Sequence, residues 1–323
     1  MTAPSPAARS SEEANSDMLL RAAWLYYQDG LTQADVADRL FVSRPTVGRL
    51  LERARGAGIV RVEVVAEHLA AYTLARRLQD RYGLDDAIVV PRGQLLTRER
   101  RNERLGVALA SLLQRFLHPG AVVGVGWGDT VARALGALAP SSLEGVTFAT
   151  VTGGIDAITS RVIGHQAIAL HLRAIPAPLI VSSPQMAVAL QAEPAIREVL
   201  DLASGAVVTL TGIGTALPRS SAARSGLLTE EDIEGFAAIG AVGDMLGEWF
   251  ASDGRVVHGA TSDRRVGISL AELSTRPNVI GVAGGAEKVP AIRGALAGGY
   301  LDLLVTDEEA ADGLLADPAP LKP

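Results

Sequence analysis

Along residues 17–55 the apolar positions recur at helical spacing in three groups separated by polar breaks. In the first, Leu20, Ala23, Trp24 and Tyr27 share a face of NSDMLLRAAWLYYQDG, which predicts a helix packing behind the next two. In the second, Val36, Ala37 and Leu40 form the buried face of a helix that Thr32 N-caps, with Asp35 near the positive end of the dipole. Phe41 and Val42 interrupt the pattern, Ser43 offers a new cap, and Pro45 sits in the first turn, where its missing N–H is harmless. The third helix therefore starts at Arg44, with Val47, Leu50, Leu51 and Ala54 as its apolar stripe and Pro45, Thr46, Arg49, Glu52 and Arg53 on the opposite side. Three such helices make a helix-turn-helix unit over 17–66. Val60, Val62 and Val64 alternate with polar residues as a short strand, a wing or a connector.

Beyond it the period changes. A connector helix over 67–84 is followed by an effector domain over 85–317, in which continuous Val/Ile/Leu runs alternate with helices. Strands are predicted at DAIVVP, AVVGVG (121–126), VTFATV (146–151), PLIV (178–181), AVVTLTG (206–212), near Val256, NVIGVAG (278–284) and LDLLVT (301–306). Helices are predicted over 99–117, 129–138, 161–174, 194–203, 229–236, 288–297 and 307–315. Uninterrupted apolar strands between helices imply a doubly wound, mostly parallel sheet covered on both faces. The fold class is thus α/β, with an N-terminal three-helix helix-turn-helix domain. Residues 1–16, rich in Ala, Ser and Pro, read as a disordered tail without the signature of a signal peptide.

Charge gives the first group its chemistry. The whole chain carries a net −6, yet residues 39–61 hold six arginines against Glu52 alone, a local +5 that leaves the remainder at −11. Phosphate contacts need such a concentration of cations, and base reading needs short polar and bidentate side chains at the start of a helix. Ser43, Arg44, Thr46 and Arg49 fit base-edge or adjacent phosphate contacts, Pro45 and Arg53 are DNA-binding candidates on the same side of the helix, and Gln33 at the start of the preceding helix fits a backbone contact. Double-stranded DNA is the partner this arrangement predicts.

The second domain points to a small ligand. Ligands of open α/β sheets bind beyond the carboxyl ends of the strands, and four such ends here are glycine loops: Gly126-Trp127-Gly128-Asp129-Thr130, Thr152-Gly153-Gly154, Gly212-Ile213-Gly214 and Gly284-Gly285-Ala286-Glu287-Lys288. Glycines let backbone N–H groups approach an anion, and a helix N-terminus behind them adds positive potential. Thr130 supplies a hydroxyl and Lys288 a charge. Trp127 either stacks on a sugar ring or plugs the sheet edge; Asp244 either accepts from a ligand or caps a helix containing Leu246 and Trp249; Asp307 reads as an N-cap.

The order of helix-turn-helix, connector helix, WGDT loop, GIG loop, VGDMLGEWFASDG and VIGVAGGAEKVPAIRGALAGGYLDLLVTDEEAADGLL resembles the SorC family of bacterial sugar-responsive transcriptional regulators, from about residue 16 to 316. The resemblance implies an effector domain related to sugar-phosphate isomerases and deaminases that binds a phosphorylated sugar or related metabolite and switches DNA affinity, as in a repressor. It implies a phosphate-binding turn of Gly126, Gly128, Asp129 and Thr130, a pocket lined by Gly153, Gly154, Gly212 and Gly214, Asp244 at sugar hydroxyls and Lys288 on the ligand, with Arg224 a further candidate. Some relatives carry an arginine immediately before the second Gly-Gly; here that position is Thr152, which disfavours a bisphosphate.

The alternative is a sugar-phosphate isomerase or deaminase with an accessory DNA-binding domain, with Asp129 or Asp244 as base and Lys288 as electrophile; no histidine lies in the glycine loops to support it. Promoter-recognising helices of sigma-like factors share the pattern of residues 36–55, but do not carry so long an α/β domain. There are no cysteines, and His68, His118, His165, His171 and His258 show no metal-ligand spacing, so neither metal nor cofactor is expected. No apolar run approaches the ~18 residues that span a bilayer, so no membrane partner is expected. The expectation is a cytoplasmic homodimer or homotetramer reading an inverted repeat, with the connector helix transmitting the ligand signal.

Overall fold

The computed structural model describes residues 17–60, 66–93, 97–154, 166–218, 220–224 and 226–316, and divides into two compact units, Met1–Val65 and Ala66–Pro323.

In the first unit, helix α1 covers residues 17–23 and continues as a π turn, Trp24–Gln28; α2 is Gln33–Leu40 and α3 is Arg44–Gly56. Thr32 and Asp35 form the complete capping box at the start of α2, and Ser43 caps α3 with Pro45 in the first turn. The predicted stripe Val47, Leu50, Leu51 and Ala54 is buried against Val36 and Ala37. The face predicted for α1 is rotated. Leu19, Ala22 and Ala23 enter the core, whereas Leu20, Trp24 and Tyr27 are exposed, because the positions one step back along the turn point at α2 and α3. Of the strand predicted over 59–65, Ile59 and Val60 form a bend, and 61–65 lie outside the described residues.

In the second unit, α4 (Ala66–Tyr82) packs on β1 (Asp86–Val90), so the connector helix is part of the unit's own core. There follow α5 (Arg98–Leu113), β2 (Val122–Val125), α6 (Asp129–Gly136), β3 (Thr147–Thr150), α7 (Gln166–Ala169), β4 (Leu172–Arg173), α8 (Pro184–Ala192), α9 (Pro194–Ser204) and β5 (Val208–Gly212). The chain continues with β6 (Gly214–Thr215), α10 (Ser221–Arg224), α11 (Glu230–Ala238), β7 (Gly243–Met245), β8 (Glu248–Phe250) and β9 (Val256–Val257). It closes with α12 (Leu270–Leu273), β10 (Val279–Val282), α13 (Val289–Ala297), β11 (Leu303–Asp307) and α14 (Glu308–Ala316). Seven strands form a parallel sheet in the order β1-β11-β10-β5-β2-β3-β4. Its residues alternate between two cores: Val123, Val125, Val208, Leu210, Ile280 and Val282 meet α5 and α6, while Val89, Ala149, Val279 and Leu304 meet the layer of α4, α9, α13 and α14. That two-sided burial is why the strands read as continuous apolar runs, and the doubly wound expectation holds.

The sequence reading missed a second, antiparallel sheet of order β6-β7-β8-β9. The helix expected around Leu246 and Trp249 is instead the hairpin β7–β8, which turns through Leu246 (φ 56) and Gly247 (φ 73). Two consecutive positive φ angles make the tight turn whose twist suits a hairpin. Within the predicted helix 161–174, residues 161–165 lie outside the described residues, α7 is one turn, and Leu172 and Arg173 pair with Phe148 and Ala149 as an edge strand. The predicted strand 178–181 makes only an isolated antiparallel bridge, Ile180 to Arg265; Pro176 and Pro178 fix the chain and remove ladder donors there. Helix α8 was also missed, although Ser183 followed by Pro184 is a helix-start signal.

Candidate functional sites

The first site is the outward face of α3. Ser43 Oγ accepts the Thr46 N–H at 3.3 Å, the two hydroxyls lie 2.8 Å apart, and Arg49 Nη2 donates to Thr46 Oγ1 at 3.3 Å. These contacts line up Ser43, Thr46 and Arg49 along the first turns, with Arg44, Pro45, Arg49 and Arg53 exposed and Thr46 half-buried. Gln33 is half-buried at the start of α2. Hydrogen bonds from Thr32 hold the Asp35 carboxyl below its usual range, keeping a negative charge at the α2 N-terminus. Ser43 thus caps α3 and stands at its N-terminal end.

The second site is a cleft of about 270 Å³ over the carboxyl ends of β2, β5 and β10. Of the residues expected there, Trp127, Gly128, Asp129, Thr130, Gly212, Gly214, Asp244 and Lys288 line it. Gly128 and Gly212 let two loops touch: a Cβ on Gly212 would stand 3.3 Å from the Trp127 carbonyl, and Gly128 holds φ 149. Gly128 is also the N-cap of α6 and offers no side-chain acceptor, so the first N–H groups of the helix face the cleft without a cap.

Gly126, Gly153 and Gly154 are not among the lining residues, which departs from expectation. A Cβ on Gly126 would lie 2.6 Å from Leu246 Cδ2, and one on Gly153 would lie 2.4 Å from the Pro178 carbonyl oxygen. Gly154, at φ 91, donates its N–H to Ala177. Each of these glycines makes room for a neighbouring chain segment.

Sequence reasoning missed the contribution of α5. Its first turn, started by Thr97, brings Arg98, Arg101 and Asn102 to the cleft, and the only signal was the arginine-rich run RERRNER after a threonine cap. Asn102 Nδ2 and Arg133 Nε donate to Asp129 Oδ2 at 2.9 and 3.1 Å, so this carboxylate holds α5 to α6. Arg101 donates to Glu287 at 2.5 Å and ties α5 to the loop carrying Lys288. Asp307 caps α14, as expected, and the same oxygen accepts the Gly285 N–H at 3.1 Å, fixing that loop from below. Arg224 on α10 also lines the cleft, where burial first and Arg98 second lower its pKa against the pull of Asp129 and Glu99.

At the floor, Asp244 is 2 % exposed and its Oδ1 has no hydrogen-bond partner. Burial pushes its carboxyl up to about 6, opposed by Lys288 and by a hydrogen bond from the Gly247 backbone. Burial likewise lowers Lys288 to about 8, opposed by Asp244 and Glu287, and its Nζ donates to the Ile213 carbonyl at 2.6 Å. The cleft therefore offers an uncapped helix start and arginines at one side and a buried acceptor beside an ammonium at the other. Among the described residues no cluster of side chains suits a metal ion, and no helix is long and apolar enough to cross a membrane.

Two family models match the chain. Residues 67–316 match the Sugar-bind family, described as "Putative sugar-binding domain", and residues 22–69 match the MarR family. The transcriptional regulator LsrR of Klebsiella pneumoniae subsp. pneumoniae is 38 % identical over 307 residues, 94 % of each chain. The uncharacterized transcriptional regulator YjhU of Escherichia coli K12 is 32 % identical over 312 residues, 94 % of this chain and 95 % of that one. The full-length sorbitol operon regulator SorC from Klebsiella pneumoniae superposes with a TM-score of 0.70 at 27 % identity, covering 93 % of this chain and 98 % of its own. These relatives are regulators, not enzymes. A helix-turn-helix followed by a Sugar-bind domain over nearly the whole length places this chain in the SorC family of sugar-binding transcriptional regulators.

Proposed function

We propose that the protein is a repressor whose hold on its operator is released by a phosphorylated sugar or a closely related metabolite bound in the cleft. The observation that carries this reading is the polarity of the cleft. The uncapped start of α6, with Arg98 and Arg224 beside it, suits a phosphate, and Asp244 with Lys288 suits hydroxyl groups at the other end. A carboxyl and an ammonium side by side in the lining offer hydroxyl groups an acceptor and a donor, so the pair Asp244 and Lys288 is the feature that asks for a polyol rather than a bare anion.

On the DNA side, Ser43, Arg44, Thr46 and Arg49 meet base edges or adjacent phosphates in the major groove, with Pro45 on the same face, while Gln33 and Arg53 meet the backbone. Two or four copies would place reading helices about 34 Å apart, or a multiple of it, on an inverted repeat. Helix α4 begins where the first unit ends and is packed into the second, which suits it to carry the ligand signal. Since ligand and operator act on one equilibrium, operator DNA must weaken the ligand by the same factor by which ligand weakens DNA.

The test is a thermal-shift panel of aldose and ketose phosphates against their unphosphorylated forms, each followed for turnover. Stabilisation by a phosphorylated sugar alone, without turnover, supports the reading. Equal stabilisation by the free sugar removes the phosphate subsite, and turnover restores the enzyme alternative.

A further inference from the structure

The chain meets its need for cations almost wholly with arginine: of its 30 Lys and Arg residues only Lys288 and Lys322 are lysines. An arginine stays protonated at any working pH, whereas a buried lysine loses its proton readily. Lys288 is therefore a cation whose charge depends on its surroundings, and several elements supply them. Asp244 on β7 and Glu287 on the turn Ala286–Lys288 favour the protonated amine, while Arg224 on α10 and Arg101 on α5 oppose it. Lys288 Nζ donates to the Ile213 carbonyl at 2.6 Å, which uses one N–H of an ammonium group that has three. The rest serve a ligand only if no carboxylate of the protein takes them.

Glu287 is the carboxylate placed to compete, since it adjoins Lys288 in the chain and lines the same cleft. In the structure it is engaged elsewhere. Arg101 Nη2 donates to Glu287 Oε1 at 2.5 Å, and the Arg101 side chain is only 16 % exposed, with Asp307 and Glu309 each 3.8 Å from its guanidinium. The pair lies over the backbone of Gly285. A Cβ on Gly285 would stand 2.3 Å from Arg101 Nη1 and 2.4 Å from Glu287 Oε2. Any side chain there would displace one or both partners, so the second glycine of this loop makes room for the ion pair.

We propose that Arg101 is a positioning residue of the cleft: by holding Glu287 over Gly285 it cancels that carboxylate, so that Glu287 does not compete with the ligand for Lys288. Without Arg101, Glu287 would act on Lys288, and on any anionic ligand, as an uncompensated charge. The proposal rests on the reading of the cleft as the ligand site for its purpose, but its test needs no ligand, so the two fail separately.

The scarcity of lysine makes the test direct. Trace acetylation of the full-length protein from pH 6 to 11, read by mass spectrometry of its peptides, gives the midpoint at which the Lys288 amine becomes reactive, with Lys322 as internal reference. The wild-type midpoint is expected near 8. R101Q should raise it by about one pH unit, because the charge of Glu287 is then uncompensated. E287Q should lower it, R101Q/E287Q should return it close to the wild-type value, and R101K, which keeps the charge, should hold it there. If Arg101 merely packs α5 against the loop, R101Q opens the site and the midpoint stays high in R101Q/E287Q as well, which overturns the proposal. A wild-type midpoint in R101Q does the same. Should circular dichroism show R101Q unfolded, E287Q decides alone: a lowered midpoint supports the proposal, and an unchanged one shows that Glu287 does not act on Lys288 and overturns it.

Discussion

Gly214 and Asp244 face each other in the β6–β7 pair so closely that a Cβ on Gly214 would stand 1.7 Å from Asp244 Oδ1. The glycine is what lets a carboxylate lie at the floor of the cleft. Gly214→Ala should therefore displace Asp244, destabilise the second unit by about 1–3 kcal/mol in urea denaturation, and abolish ligand-induced stabilisation. An alanine variant that still responds to ligand would show that Asp244 does not touch it.

The two buried charges predict a pH window for ligand binding. Asp244 is an ionised, acceptor-only carboxylate above about 6, and Lys288 is cationic below about 8, so affinity should be greatest between those values and fall on both sides. Because the second ionisation of a phosphate also falls near 6, the diagnostic is the difference between wild type and Asp244→Asn, in calorimetric titrations across pH 5–9. The acid limb belonging to Asp244 should vanish in the variant.

Stability has its own sign. The native protein keeps the Asp244 proton up to about 6, whereas the unfolded chain loses it near 3.8, so this group makes stability decline as pH rises between the two values and adds nothing above. Lys288 acts in the opposite sense: the native protein gives up its proton near 8 and the unfolded chain near 10.5, so stability recovers across that interval. Asp244→Asn should flatten the acid decline in urea midpoints measured from pH 4 to 6; an unchanged slope would assign it to other groups.

On the DNA side, Arg49 and Arg53 should separate. Arg49, aligned by Thr46 near the start of α3, should lose about 1–3 kcal/mol of operator affinity as alanine and relax specificity at one base pair. Arg53, in the last turn, should weaken all sequences alike and lower the salt dependence by about one unit. Anisotropy titrations at several salt concentrations, with operator and scrambled DNA, distinguish the two.

Phe41 stands in the turn between α2 and α3 with a left-handed backbone (φ 54) and 95 % of its surface exposed. A bulky residue there is strained by about 1–2 kcal/mol, so Phe41→Gly should raise the stability of the first unit by up to about 1 kcal/mol, allowing for the freer unfolded chain. If the variant is no more stable in thermal unfolding but binds operator more weakly, the side chain is held there for contact.

The elements legible in the sequence were those whose local and tertiary demands agree. Thr32, Ser43 and Pro45 mark helix starts whatever surrounds them, and strands such as Val279–Val282 are apolar throughout because both faces are covered. What was illegible depended on long-range pairing. Asp244 could be read as a helix cap as readily as a ligand acceptor until β7 met β6 and β8, and Leu172–Arg173 looked helical until it lay along β3. Within the cleft, loops named by glycine could be found, but glycine serves packing as readily as binding, and Gly126, Gly153 and Gly154 do the former. Arg98, Arg101 and Asn102 left no comparable mark, since a charged first turn of a helix is ordinary on any surface.

In the proposed function the cleft controls the arginine face of α3. Its most direct measurement is operator affinity by fluorescence anisotropy, for wild type and Lys288→Met, with and without the phosphorylated sugar that stabilises the protein. The ligand should release wild-type protein from DNA, while the variant should bind operator normally and no longer respond. Full release of the variant, or wild-type affinity that ignores the ligand, would contradict it.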